Sequence, residues 1–314
     1  MSHQPVIALT GATGFVGREI VRQIAKELPE TSLRLLVRRP DRRALSGELT
    51  AHRIIPGSLD DPESLRRLVS GAGTVVHVAA AIGGRNAEAF DQPNVVGTRR
   101  LLDAVGEGAP GAHLIQVSSL AARHPALSCY AASKRAAEEL IQTRAERYSI
   151  LRPPAVYGPH DLALAPFWRL LARGWLVRLG SPDAKFSLLH VNDMAQAVVR
   201  LHRHGPLGGT VTLAGPEPVG GWRWADIAGV AAEAGNRPVR IVPIPGLALK
   251  ATASGSGLWA RITRQDLVMG PGKARELLHP NWVCDNLDVE SALGWRPATQ
   301  FRQALGTLPG WTRS

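Results

Sequence analysis

Tyr130 stands four residues before Lys134 in the stretch Tyr130-Ala131-Ala132-Ser133-Lys134, at the head of a run, Ala131 to Ile141, that reads as helix. Four residues is about one helical turn, so phenol and ammonium project from the same face. A cation held beside a phenol favours the phenolate and is expected to draw its pKa down from the usual ~10. Such a pair can give and take protons near neutral pH. The chain has three tyrosines and five lysines, and only Tyr130 has a lysine at this offset. The competing explanation is an amphipathic helix that carries a Tyr and a Lys by coincidence; the elements upstream bear on that choice. Cys129, next to Tyr130, reads as a lone buried thiol rather than a nucleophile.

The elements that must position the pair begin at the N-terminus. Val6-Ile7-Ala8-Leu9 is a short apolar run, as a fully buried parallel strand requires. It feeds Thr10-Gly11-Ala12-Thr13-Gly14-Phe15-Val16-Gly17. Val16, Ile20, Ile24 and Leu28 then recur at helical spacing before Pro29. Strand, glycine loop and helix is the setting in which such a loop cradles a pyrophosphate, with free N–H groups and the positive dipole end at the helix N-terminus. The spacing is Gly-x-x-Gly-x-x-Gly, not the Gly-x-Gly-x-x-Gly of the usual fingerprint. The next strand, Leu33 to Val37, ends in Arg38-Arg39, with Arg42 and Arg43 following and no carboxylate before Asp41. An acidic residue roughly 20 positions past the glycines holds the ribose 2′-hydroxyl of NAD, whereas arginine accommodates the 2′-phosphate of NADP. Arg38 lies 21 residues beyond Gly17. NADP(H) is therefore favoured over NAD(H), against the plainer reading of a basic loop.

Strand and helix alternate from there. Ile54-Ile55 leads through Gly57-Ser58-Leu59-Asp60 to Asp61-Pro62-Glu63, an N-cap aspartate followed by proline in the first turn. Thr74 to Ala80 is a fourth strand whose small residues leave room for a cofactor; His77 within it reads as a packed core histidine. Asn94 to Val105 is helical, and His113 to Ser119 is a fifth strand ending in Ser118 and Ser119. Helix 131–147 and strand Ser149 to Arg152 complete the pattern. The expected fold is a doubly wound parallel α/β sheet of Rossmann type, with ligands at the carboxyl ends of the strands. The two serines, the Tyr–Lys pair and the glycine loop all fall at that edge.

Composition sets the outer limits. The chain has 314 residues, 45% hydrophobic and 20% charged, as in a soluble globular protein. Two cysteines, Cys129 and Cys284, make neither a disulfide framework nor a metal site, and a reducing cytoplasm is expected. Met1 to Pro5 lacks the features of a signal peptide, and no apolar run approaches the ~18 residues of a membrane span. The net charge of +11 comes nearly all from arginines spread along the chain. Without a cluster interleaved with aromatics, no nucleic-acid partner is expected. A solvated basic surface is the first reading, and steering of phosphorylated cofactors, acyl carriers or an anionic membrane face the second.

With these residues in view the chain resembles the extended short-chain dehydrogenase/reductases, the superfamily of nucleotide-sugar epimerases and 3-beta-hydroxysteroid dehydrogenases. The matching segments are TGATGFVG (10–17), GSLDD (57–61), VVHVAA (75–80), NVVGT (94–98), VSS (117–119), YAASK (130–134), LRPPAVYGP (151–159), HVND (190–193) and ESALGWRP (290–297). The resemblance implies Tyr130 as general acid/base, Lys134 as the group that lowers its pKa and bonds the nicotinamide ribose, and Ser119 as polariser of the reacting oxygen, with Ser118 the alternative. It implies hydride exchange with C4 of a nicotinamide. The cofactor would lie along Gly11, Thr13, Gly14, Phe15, Val16 and Gly17. It would pass Arg38, Arg39, Ser58 and Leu59 at the adenosine end and Ala79, Ala80 and Ala81 at the fourth strand. Val117, Ser118, Tyr130, Lys134, Pro153, Ala155 and Val156 would surround the nicotinamide.

Departures from the pattern narrow the class. Sugar dehydratases follow the Ser/Thr with Asp-Glu; Leu120-Ala121 stand here, which argues against dehydration. Ala155 replaces the Asn that sugar-nucleotide enzymes use, and Ser58 replaces the usual Asp near adenine. Only eleven residues separate Ser119 from Tyr130, short for sugar-active members.

Residues 1–160, with 186–214 returning, are expected to form the dinucleotide domain, and 161–185 with 215–314 a smaller substrate-binding cap. Asp161 to Arg173 reads as a helix interrupted at Pro166, and Trp222 to Ala234 as another. Ala251 to Gly257 is the candidate mobile loop. Trp168, Trp175, Leu247, Leu249, Leu258 and Trp259 are candidates to line an apolar pocket, or else ordinary core. Arg85 and Arg261 are candidates for an anionic tail. The leading expectation is an NADP(H)-dependent oxidoreductase acting on a secondary alcohol or ketone of an apolar small molecule. An epimerase with tightly held NAD and a non-catalytic dinucleotide-binding subunit are the alternatives. Dimerisation through the Tyr–Lys helix follows only by analogy.

Overall fold

The computed structural model describes residues 5–40, 47–216, 218–244, 246 and 270–311. Arg42, Arg43, the loop 251–257 and Leu247, Leu249, Leu258, Trp259 and Arg261 lie outside the described residues.

The chain opens with β1 (Val6–Thr10) and α1 (Phe15–Glu27), then β2 (Ser32–Val37), β3 (Arg53–Pro56) and α2 (Pro62–Val69). Asp61 caps α2 as its residue type demands, accepting from the backbone N–H of Glu63 and Ser64 at 3.1 and 3.2 Å. β4 (Thr74–His77), α3 (Ala87–Asp91), α4 (Gly97–Gly108), β5 (His113–Val117), α5 (Cys129–Arg144) and β6 (Tyr148–Arg152) follow. These six strands and β11 (Gly209–Thr212) form one sheet in the order β11-β6-β5-β4-β1-β2-β3, every neighbouring pair parallel. This is the doubly wound arrangement, whose strand order reverses beside β1.

The strands are apolar on both faces because helices cover both. α1 and α7 bury Ile20, Ile24, Met194, Val198 and Leu201 against one face. α2, α4 and α5 bury Leu65, Leu68, Leu101, Val105 and Ile141 against the other.

The remaining elements are β7 (Ala155–Tyr157), α6 (Ala165–Ala172), β8 (Trp175–Leu179), β9 (Lys185–Phe186), β10 (Leu188–His190), α7 (Val191–His204), β11 (Gly209–Thr212), β12 (Trp222–Arg223), α8 (Trp224–Gly235), β13 (Arg240–Ile244), α9 (Pro271–Leu278), β14 (Asn281–Trp282), α10 (Leu287–Leu293) and α11 (Phe301–Leu305). A third core holds Trp168, Leu176, Trp222, Ile227, Phe301 and Leu305 together with Tyr157.

Several expectations need correcting. Pro166 does not interrupt a helix: it sits in the first turn of α6, where its missing N–H has no intrahelical partner to lose. The helix expected at Asn94 to Val105 begins earlier, as α3, and reaches α4 through a π turn at Gln92–Val96. Trp222 lies in β12, paired with Phe186, so α8 starts two residues later than expected. Trp168 is core, packed against Tyr157 and Phe301. Trp175 is exposed. Cys129 is also exposed, because as the first residue of α5 it points off the helix end rather than into the sheet.

The glycine loop is built to close tolerances. Gly11 has φ +78°, a left-handed conformation that favours glycine, and a Cβ there would come within 2.6 Å of the Ala79 backbone N. At Gly17 a Cβ would meet the Gly11 carbonyl oxygen at 2.0 Å, so α1 can pack this closely on its own loop only with hydrogen in that place. Gly17→Ala is expected to destabilise the fold by about 1–3 kcal/mol through this overlap with backbone. Denaturant unfolding checks it, and an unchanged midpoint contradicts the close approach.

Candidate active site

Ser128 starts the helix that matters most. Its hydroxyl accepts from the Ala131 N–H at 2.9 Å and caps α5. The cap sets the phase of the helix, so that positions 130, 134 and 138, one turn apart, face the end of β5. There the Lys134 ammonium donates to the Val117 carbonyl at 2.8 Å. Ser118 Oγ donates to Glu138 Oε1 at 2.5 Å. The Tyr130 hydroxyl lies near the Ser119 side chain, whose polar group favours the phenolate. Ser119 Oγ also accepts from the Ala121 N–H at 3.2 Å and caps the short turn that follows β5.

Burial pushes the Tyr130 phenol up to about 12; the Ser119 side chain works against this rise and the negative charge of Glu276 adds to it. The expectation that Lys134 draws the phenol down is therefore not met. The ammonium is committed to a backbone carbonyl, and withdrawal from water outweighs the other influences on the phenol. Lys134 itself is lowered to about 8 by burial, with the Glu138 carboxylate opposing the fall.

Behind this face the polar groups are paired. Arg152 grips Glu138 through Nε at 2.9 Å and Nη2 at 2.5 Å, the bidentate geometry suited to a buried carboxylate. Ser118 is thereby committed to structure. Asn94, on the π turn, accepts from the Ala81 N–H at 2.7 Å and donates to the Ala81 carbonyl at 3.1 Å and to Ser133 Oγ at 2.9 Å. It ties the loop after β4 to α5. His77 is a core residue, as expected: fully buried, hydrogen-bonded to Thr10 and Thr98, and lowered to about 3 chiefly by burial.

The other sequence-chosen positions surround this point. Thr13 and Gly14 are exposed and Phe15 and Val16 half-buried where α1 begins. Arg38 and Arg39 are exposed at the end of β2. Ser58 Oγ accepts from the Asp60 N–H at 3.1 Å, and Leu59 packs over Gly97. Ala79, Ala80 and Ala81 are half-buried at the end of β4. Pro153 is buried, its carbonyl accepting from the Leu120 N–H at 2.8 Å, whereas Ala155 is exposed and Val156 half-buried on β7.

The glycine cradle at the start of α1 fits a pyrophosphate: small, exposed at Gly14, and facing a helix N-terminus. Arg38 and Arg39 are exposed just beyond β2, on the same sheet edge.

A cleft of about 120 Å³ opens beside Tyr130, lined by Ile82, Arg85, Phe90, Ser128, Lys273 and Glu276 among others. Phe90 lies 6.1 Å from the Tyr130 ring. Among the described residues this wall is mixed rather than wholly apolar. Its far side is α9, whose Glu276 is buried, bonded to the Ser128 hydroxyl and paired with Lys273 at 3.0 Å. Arg275 donates to the Leu127 carbonyl at 2.8 Å. The second lobe thus grips the cap of the Tyr130 helix directly.

Sequence reasoning missed Ser128, Glu138 and Glu276 and gave Asn94 no role. Ser128 carried a legible signal, a serine just before a helical run. Glu138 carried another, one turn beyond Lys134. Glu276 carried none, because its partner is 148 positions away.

This sheet order, glycine loop and Ser–Tyr–Lys edge define a dinucleotide-binding α/β enzyme of the extended short-chain dehydrogenase/reductase type. The chain belongs to the NAD dependent epimerase/dehydratase family, whose model matches residues 7–214. It is 37% identical over 312 residues to the ceramide reductase of Caulobacter vibrioides, covering 97% of this chain and 96% of that one. NADH dehydrogenase (ubiquinone) 1 alpha subcomplex subunit 9, mitochondrial, of Arabidopsis thaliana is 28% identical over 220 residues, 68% of this chain and 54% of that one. Among solved structures, MoeE5 in complex with UDP-glucose and NAD shares the fold with a TM-score of 0.72 at 21% identity, covering 98% of both chains. No helix among the described residues is long and apolar enough to cross a membrane.

The Ser128–Glu276 contact couples a helix cap to the second lobe. Ser128→Ala is expected to cost about 1 kcal/mol from the cap alone. Paired with Glu276→Ala in a double-mutant cycle, the two losses should fail to add by about 0.5 kcal/mol or more. Additive losses in denaturant unfolding would show that the contact contributes nothing.

Proposed function

We propose that this protein reduces a ketone on a long-chain, ceramide-like lipid to a secondary alcohol, using NADPH. The observation that carries the reading is the end-to-end match to a ceramide reductase, which extends through the second lobe as well as the dinucleotide fold. A ceramide bears a secondary alcohol on its long-chain base, and a reductase can form one from the corresponding ketone.

The side chains support the reducing direction. With its phenol pushed up to about 12, Tyr130 holds its proton through the neutral range and begins as a donor. Ser119, near it, presents a second hydroxyl to the same carbonyl oxygen. A nicotinamide held at this edge would supply hydride chemistry, and Tyr130 would hold the proton for the carbonyl oxygen. Lys134 places a positive charge one helical turn away, which favours the phenolate left after that transfer. Leu120 and Ala121 offer no acid or base for elimination. Arg38 and Arg39 provide the positive charge that a ribose 2′-phosphate needs.

Steady-state rates of cofactor oxidation test both parts. Tyr130→Phe should lower kcat for ketone reduction by about 10²-fold or more. The rate should fall as pH rises through about 8, where Lys134 loses its proton. Lys134→Arg, which stays protonated, should move that limb upward. A profile unaffected by Lys134→Arg would remove the ammonium from the mechanism. For the cofactor, Arg38→Ala should raise KM for NADPH about tenfold and leave KM for NADH nearly unchanged. Equal effects on the two would deny Arg38 a role in 2′-phosphate recognition.

A further inference from the structure

The basic charge of this chain is segregated. Residues 162–182 and 234–265 contain no Asp or Glu; the first stretch holds three arginines and the second four arginines and a lysine. Together they carry a net +8 of the +11 of the whole chain. Described parts of the two stretches meet, because β8 from the first pairs in parallel with β13 from the second, Trp175 opposite Arg240 through Leu179 opposite Ile244. Among the described residues β13 has no other strand neighbour.

That edge is both apolar and basic. Trp175 and Val242, on one face of the paired strands, are 41% and 39% exposed. The Arg240 guanidinium lies over the Trp175 ring, 5.5 Å from its centre, and Arg173 and Arg237 are exposed nearby in the chain. Addition of another strand does not suit this edge, because Pro243 lacks an N–H and Arg240 brings charge. An exposed tryptophan beside arginines and branched aliphatic residues suits a bilayer interface, where rings sit at headgroup level and guanidinium groups meet anionic lipids.

The same small sheet leads to the cleft. Leu179 and Ile244, the last residues of β8 and β13, pack with Ala274, Leu277 and Leu278 of α9. α9 also supplies Lys273 and Glu276 to the wall beside Tyr130. One helix therefore joins the exposed edge to the cleft.

We propose that the β8–β13 edge is a peripheral docking surface for an anionic lipid bilayer. Arg173, Arg237 and Arg240 supply attraction to the headgroups, and Trp175 and Val242, which share the Arg240 face of the two strands, enter the interface. Docking of this kind spans no membrane and is reversible. Collection of a lipid ketone from that bilayer rests on the reductase reading. The surface itself does not, and a measurement without substrate lets the two fail separately.

Co-sedimentation of the full chain with vesicles tests the proposal. Binding is expected to equimolar phosphatidylglycerol and phosphatidylcholine at low salt, with loss at high salt and little binding to phosphatidylcholine alone. Arg173→Glu/Arg240→Glu should weaken partition about tenfold or more. Arg67→Glu/Arg99→Glu, the same charge change on exposed positions of α2 and α4, should weaken it far less. Trp175→Ser/Val242→Ser, at exposed positions of that face, should lower vesicle binding while leaving the melting temperature and heparin binding unchanged. The proposal fails if the wild-type chain stays in the supernatant with anionic vesicles. It also fails if the two charge-reversed pairs behave alike, or if Trp175→Ser/Val242→Ser binds vesicles as well as wild type, which would mark a general polyanion patch.

Discussion

The bond from the Lys134 ammonium to the Val117 carbonyl is the constraint on which the site depends. A buried ammonium is costly to withdraw from water unless it is hydrogen-bonded, and Val117 offers the acceptor at the last residue of β5. Together with the Ser128 cap, that bond registers α5 against the end of β5. The two turns on either side then fall into place: Tyr130 meets Ser119 and Glu138 meets Ser118. Three rungs one helical turn apart on α5 meet three consecutive residues at the end of β5 and just beyond it. No rung would be aligned if the helix were shifted by one residue, because about 100° of rotation would carry all three side chains off the sheet.

The same geometry accounts for the protonation states. Burial makes the phenol a poor acid and the ammonium a poor base-bound cation, so each neutral form is favoured relative to water. These shifts run in opposite directions, Tyr130 upward and Lys134 downward, as desolvation requires for an acid whose anion is charged and a base whose conjugate acid is charged. The site thus rests with the proton on oxygen, a donor waiting for an acceptor. Glu276 strengthens that bias from the second lobe, and its carboxylate is held by Ser128 and Lys273 rather than left free in the cleft.

Local rules carried much of this fold into view. The strand–glycine loop–helix opening, the Asp61 cap and the alternation of strands and helices are short-range patterns, each set by residues within a turn or two. Tyr130 and Lys134 were legible for the same reason. What stayed hidden was set by partners far along the chain or by a choice between two local meanings. Pro166 both breaks helices and starts them, and its place was settled by the helix beginning at Ala165. The direction of the phenol shift depended on burial, which a four-residue spacing does not contain. Glu276 and the π turn that turns Asn94 towards Ala81 and Ser133 arise from tertiary packing.

The C-terminal residues meet the first lobe at the start of α5 and also along α7, where Val289 and Trp295 join the core and Asp193 accepts from the backbone N–H of Ala298 and Thr299. α9 meets the start of α5 twice, through Glu276 on Ser128 and Arg275 on the Leu127 carbonyl, and a Cβ on Gly272 would press on Ser128 at 2.9 Å. The opposite side of α9 rests on the ends of β8 and β13. A displacement of that small sheet would therefore be transmitted to the cap of the helix that carries Tyr130, through contacts between rigid elements. A lobe that grips the catalytic helix at its N-terminus controls the aim of the first residues of that helix, and Tyr130 is the second of them. The two elements thereby meet at one serine, Ser128, whose hydroxyl both caps α5 and bonds Glu276 of α9.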